Sequence, residues 1–146
     1  MPPLSPLTSF LLQRDRLLLP GTPPLTLHRI CFDAAAFTPA CFAAHGMALP
    51  ASLQHAAPKR LGEFLAGRLA AREALRPFGL AGNGVAIGSA REPLWPLGME
   101  GSISHSQLAG QGVALCGVRP AQGGMGLDLE AWLGPEQGNQ LWPGIV

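Results

Sequence analysis

Charge is scarce in this chain. Acidic and basic side chains make up 13% of the 146 residues, and ten Lys and Arg against nine Asp and Glu leave a net charge of +1. That excludes the broad basic field that suits nucleic acid or an anionic membrane surface, so any anion site has to be local. Cysteine is scarce too. Cys31, Cys41 and Cys116 are odd in number and match no zinc spacing, which points to buried, reduced thiols in a cytoplasmic chain rather than a disulfide framework. A long apolar run is also missing: Arg14, Asp15 and Arg16 interrupt the one near the start, and no basic n-region precedes it. The sequence therefore reads without a signal peptide or a membrane span. No internal repeat or low-complexity tract is present.

What the chain does have is apolar mass. Hydrophobic residues make up 47%, enough for the core of one domain or a large part of one. Residues 1–25 carry many prolines plus Gly21 and read as an extension wrapping over the surface. "TLHRICF" (26–32) alternates as a strand, with Leu27, Arg29 and Cys31 on one side and His28, Ile30 and Phe32 on the other. The Ala-rich stretch 33–50, broken by Pro39 and Gly46, predicts a short helix. The strongest element is "PKRLGEFLAGRLAAREALRPFG" (58–79), a helix opened by Pro58 and closed by Pro77 and Gly79. After it, 84–88 predicts a strand and 89–98 a loop. Stretches 101–106, 112–118 and 124–130 predict three short strands between Gly-rich turns. One long helix beside a small, mainly antiparallel sheet is an α+β architecture. Residues 131–146 start what reads as another helix near Pro135, cut short at Val146.

On a helical wheel, Leu61, Phe64, Leu65, Leu69 and Leu75 gather on one side, and Arg68 and Arg72 fall inside that arc with Arg76 beside them. Arginine in an apolar arc is costly unless paired or aimed at a ligand. Two readings are open. The stems pack while the heads reach water or an acid, or the helix lines an anion site with Lys59 and Arg60 at its start, where free N–H groups and the helix dipole favour negative charge. The loop around Pro93, Trp95 and Pro96 is stiff and either seals the core or covers a planar ring. His105, flanked by Ser104 and Ser106, is either structural or a phosphate donor. In "GMGLDLE" (124–130), Asp128 and Glu130 share one face of an extended segment and repel each other unless a cation lies between them or one takes a proton. Oxygen ligands with no His or Cys nearby suit Mg²⁺ better than zinc. The alternative is a solvated face, or pairing with Arg68 and Arg72.

Four stretches, "KRLGEFLAGRLAAREAL" (59–75), "REPLWP" (91–96), "GSISHS" (101–106) and "GLDLE" (126–130), occur in an order that resembles the 4'-phosphopantetheinyl transferases of the surfactin-type superfamily. The likeness is to the siderophore branch typified by enterobactin synthetase component D. It implies Mg²⁺-dependent transfer of phosphopantetheine from coenzyme A to a serine of an acyl or peptidyl carrier protein, within a siderophore synthetase complex. It also implies that residues 26–130 are one half of a pseudo-two-fold fold, and that 131–146 begin the second. By the same resemblance Asp128 and Glu130 are magnesium ligands, and His105 with Ser104 meets the nucleotide phosphates. Arg60, with Lys59 adjacent, contacts the 3'-phosphate, and Arg91, Glu92 and Pro93 border the adenine. The family's second half carries a Trp-x-x-Lys-Glu motif whose Glu is the proposed base. None of Trp95, Trp132 and Trp142 is followed by Lys-Glu, so the general base is expected outside this sequence. The competing reading is a non-catalytic fragment that binds coenzyme A or a carrier domain.

Overall fold

The computed structural model describes residues 10–20, 24–80, 85–87, 93–108 and 111–121. Its frame is a four-stranded antiparallel sheet built from β1 (Leu11–Leu19), β2 (Leu25–Asp33), β5 (Met99–Leu108) and β6 (Gln111–Pro120), in the order β1-β2-β6-β5. A separate pair, β3 (Ala86–Ile87) and β4 (Pro93–Leu94), is also antiparallel. The short helix α1 (Ala40–Ala44), the long helix α2 (Pro58–Leu75) and three 3-10 turns complete the described elements. This is the expected α+β arrangement of one long helix on a small antiparallel sheet.

Helix α2 forms where the sequence predicts it, from Pro58 at its first turn. It passes into a 3-10 turn at Arg76–Phe78, and Gly79 ends it in the left-handed region at φ 72°, a conformation that suits glycine at a helix end. Its burial is broader than an arc of leucines. Leu61, Leu65, Leu69 and Leu75 are joined by Gly62, Ala66, Ala70, Ala71 and Ala74, small residues that bring the backbone close to the sheet. The helix packs on Ile30 and Phe32 of β2 and on Ala114, Cys116 and Val118 of β6, with Phe10, Phe37 and Phe42 filling the flank. The other sheet face is buried at Leu27, Cys31, Val113 and Leu115, each at most 3% exposed, so β6, buried on both faces, reads as a nearly continuous run of apolar and small residues.

Residues 11–19 correct the sequence reading. The prolines near the start suggested a surface wrap, but Leu11–Leu19 forms an edge strand paired along the length of β2. The charges that disguised it have local partners: Asp15 accepts from Arg29 on the neighbouring strand at 2.8 Å, and Arg14 lies 3.4 Å from Glu73 on α2. Three other elements are modestly different. Pro93–Leu94, inside the expected loop 89–98, pairs with Ala86–Ile87, and β5 and β6 extend past the predicted 101–106 and 112–118. The predicted strand 124–130 lies outside the described residues. All three cysteines are buried and free, as expected. No described helix is long and apolar enough to cross a membrane.

Sheet pairing brings Gly112 opposite Phe32, and the ring lies flat over the missing side chain: an added Cβ would stand 2.1 Å from Phe32 Cζ. The ring is itself fully buried and has nowhere to retreat. Gly112→Ala should therefore lower the unfolding free energy by about 1–3 kcal/mol through overpacking. Leu97→Ala, at a fully solvent-exposed site, should leave it within about 0.5 kcal/mol. Urea denaturation of the two variants against wild type measures both.

Candidate functional site: a cationic cleft between the long helix and a strand

Arg60, Glu63, Phe64, Gly67 and Arg68 fall at i, i+3, i+4, i+7 and i+8 and so form one stripe along α2. Ile103, His105 and Gln107 alternate along β5 and share its helix-facing side. Where stripe and strand meet, an open cleft of about 140 Å³ is lined by Arg60, Glu63, Phe64, Gly67, Arg68, Pro93, Ile103 and His105. Gly67 permits the approach, because a Cβ there would lie 2.9 Å from Ile103 Cγ2.

Arg68 is the unusual group. It is 8% exposed, its Nε is buried without a hydrogen-bond partner, and no acid pairs with it among the described residues. Its guanidinium lies 4.7 Å from the centre of the Phe64 ring, which itself stacks on Phe42. A cation–π contact supports the charge but leaves the Nε–H donor unused. Burial lowers the Arg68 pKa from its ordinary value; Cys116 opposes that shift and the like charge of Arg60 adds to it. The Cys116 thiol is driven far upward by the same burial and stays neutral.

His105 is partly exposed, and its Nδ1 lies 3.3 Å from Glu63 Oε2. The second carboxylate oxygen of Glu63 accepts from Gln107 Nε2 at 3.1 Å. Ser104 is adjacent in sequence but points to the opposite face of the sheet, where it is 6% exposed. The two donors read as neighbours in the sequence are thus separated by the pleat, and His105 alone faces the cleft.

The other arginines of the helix resolve differently. Arg72 donates from Nη1 to the carbonyl oxygen of His45 at 2.6 Å, and Arg76 pairs with Glu73 at 3.3 Å. Both act structurally, tying α2 to the end of α1 and to itself. Lys59 is exposed at the helix start and does not line the cleft. Arg91, Glu92, Asp128 and Glu130 lie outside the described residues. Among the described residues no group of three or more His, Cys, Asp or Glu is placed to hold a metal. Of the sequence candidates, Arg60, Pro93 and His105 come together. The sequence reading gives Glu63 and Gly67 no role and places Phe64 in the apolar arc, although their spacing from Arg60 and Arg68 is the helical period itself.

Comparison with known proteins bears on this segment directly. Residues 49–117 match the 4'-phosphopantetheinyl transferase N-terminal domain, a span that contains every residue lining the cleft. The chain is 38% identical over 123 residues to enterobactin synthase component D of Escherichia coli O157:H7, covering 83% of this chain and 54% of that protein. Over these residues the chain is similar to the N-terminal half of the 4'-phosphopantetheinyl transferases. Enterobactin synthase component D of Salmonella typhimurium is 35% identical over 123 residues, 82% of this chain and 47% of the relative. The 4'-phosphopantetheinyl transferase PptT of Mycobacterium tuberculosis is 40% identical over 72 residues, 49% of this chain and 31% of the relative. The chain spans about half the length of the enterobactin synthase relatives.

Two outcomes test this account of the cleft. If Arg68 is a charge held for a ligand, Arg68→Met should fold with a stability within about 1 kcal/mol of wild type or above it, because removing a buried unpaired charge is neutral or favourable. A loss of several kcal/mol in urea denaturation would make it a structural residue. The second concerns acidity. His45 is lowered from its ordinary pKa by burial first and then by Arg72 and Arg14; His28 is lowered chiefly by burial, with Glu73 opposing. Imidazoles lowered in the folded state take up more protons when unfolded, so their contribution is full above 6.5 and is lost as the pH falls below it. The urea midpoint should fall between about pH 7.5 and about pH 5.5, and His45→Gln should reduce that fall.

Proposed function

We propose that this chain supplies the coenzyme A-binding part of a 4'-phosphopantetheinyl transferase that acts on an acyl or peptidyl carrier protein in siderophore synthesis, in the cytoplasm. The observation that carries the reading is the cleft itself: Arg60, Arg68 and His105 converge in a chain of net charge +1, and the Nε of the buried Arg68 has no partner. A multiply charged anion such as the nucleotide end of coenzyme A satisfies that donor and replaces the lost hydration of the guanidinium.

In this reading Arg60, at the mouth of the cleft with Lys59 adjacent, takes the 3'-phosphate. Arg68 and His105 hold the remaining phosphate oxygens, and the stiff segment ending at Pro93 borders the adenine with Arg91 and Glu92. Asp128 and Glu130 are assigned to Mg²⁺, on the chemistry of two oxygen ligands two residues apart; when bound, the metal supplies charge neutralisation at the phosphoryl oxygens. The carrier serine Oγ attacks the β-phosphorus of coenzyme A, the bond to the departing 3',5'-ADP breaks, and the serine proton passes to a base that these residues do not supply. The part played by the described residues is to bind the nucleotide and hold it still, which can contribute several kcal/mol to such a transfer.

Isothermal titration calorimetry of the chain with coenzyme A and with dephospho-coenzyme A, in the presence of Mg²⁺, tests the assignment. Coenzyme A should bind more tightly, and Arg60→Ala should cut that preference by about 10- to 100-fold, as expected for a charge-assisted contact to phosphate. Equal affinities of the wild-type chain for the two nucleotides would remove the basis for the reading.

A further inference from the structure

An anion site gains nothing from a carboxylate, yet Glu63 sits among Arg60, Arg68 and His105 on the wall of the cleft. Its negative charge weakens the attraction for a phosphate unless it does something for one of the cations. The geometry shows where it is engaged. Glu63 Oε2 lies 3.3 Å from His105 Nδ1, and Oε1 accepts from Gln107 Nε2 at 3.1 Å. The Glu63 side chain is 12% exposed, against 39% for His105. The carboxylate is thus held from two sides by β5, while the imidazole keeps an edge open.

We propose that Glu63 is a positioning residue that presents His105 to the bound nucleotide, an inference that rests on the coenzyme A reading above. Glu63 Oε2 and His105 Nδ1 stand 3.3 Å apart, and a carboxylate oxygen can only accept, so a proton shared between them belongs to Nδ1. The two ring nitrogens diverge, and a ring turned with Nδ1 towards Glu63 offers Nε2 to the cleft. When the ring is protonated it donates from both edges, to Glu63 on one and to a phosphate oxygen on the other. Gln107 makes the arrangement rigid. It stands two residues from His105 on the same face of β5 and holds the oxygen that the imidazole does not use, so Glu63 cannot swing towards Arg60 or Arg68 without breaking that bond. The carboxylate's cost to anion binding is offset by an oriented donor.

The test is a double-mutant cycle on the full chain, read by calorimetric affinity for coenzyme A in Glu63→Gln, His105→Ala and the double variant, with thermal unfolding to confirm that each folds. Glu63→Gln alone should weaken binding by about 3- to 10-fold. In the His105→Ala background it should cause no further loss, because Glu63 acts through the imidazole. An equal loss in both backgrounds, or no loss in the single variant, overturns the proposal. Nitrogen-15 spectra of the wild-type imidazole, with no ligand, decide the matter independently of any variant. The neutral ring should carry its proton on Nδ1, and a ring protonated on Nε2 overturns it. Absence of coenzyme A binding by the wild-type chain would overturn the nucleotide reading instead, and the imidazole spectrum would still report on the Glu63–His105 pair.

Discussion

Everything at the cleft depends on how closely α2 can lie against β5. A glycine at position 67 leaves room for Ile103 Cγ2 within 2.9 Å of where a Cβ would stand, and the neighbouring turns of the helix are lined with alanine. That approach sets the spacing between a helical stripe and a strand face. With it, Glu63 reaches both His105 and Gln107. A bulkier residue at 67 would push the helix off and open a gap between the groups that now touch, and dispersion forces fall away within an ångström of such a gap.

The same packing divides the arginines of one helix into two kinds. Arg72 and Arg76 each reach an oxygen of the protein, although the Arg72 Nε, like that of Arg68, is buried without a partner. Arg68, one turn nearer the helix start, finds an aromatic face and a cleft instead. A buried guanidinium with an unused donor costs stability, and the fold tolerates it where the charge serves something that arrives later. Stability and binding are in this sense opposed at one residue. The apolar layers on both faces of β2 and β6 supply the margin that lets the sheet carry it.

The sheet makes a parallel division among neighbours in sequence. Ser104 and His105 stand side by side in the chain and face opposite ways in the fold, because successive side chains of a strand alternate. His105 instead finds its partner, Glu63, across on the helix, and Gln107, two residues on, holds the other oxygen of the same carboxylate. The cleft is therefore not a motif in the linear sense. It is the meeting of a period of two with a period of 3.6, and each contributes every second or every third-to-fourth residue.

Much of the architecture was legible in the residues themselves. The long helix, with Pro58 at its start and Gly79 just beyond its end, is written in local chemistry, and so are the strands at 26–32 and 112–118, because capping and apolar patterning act over a few residues. The order of the four quoted stretches also carried the likeness to the phosphopantetheinyl transferases. The edge strand Leu11–Leu19 was not legible, since its alternation is masked by charges whose partners, Arg29 and Glu73, lie far along the chain. Nor could the sequence tell Arg68 from Arg72. Both lie in one arc of one helix, and only the tertiary structure decides that an oxygen of His45 meets one while nothing but Phe64 and the cleft meets the other. Burial and partnership arise from long-range contacts, so they belong to the fold, whereas period and capping belong to the sequence.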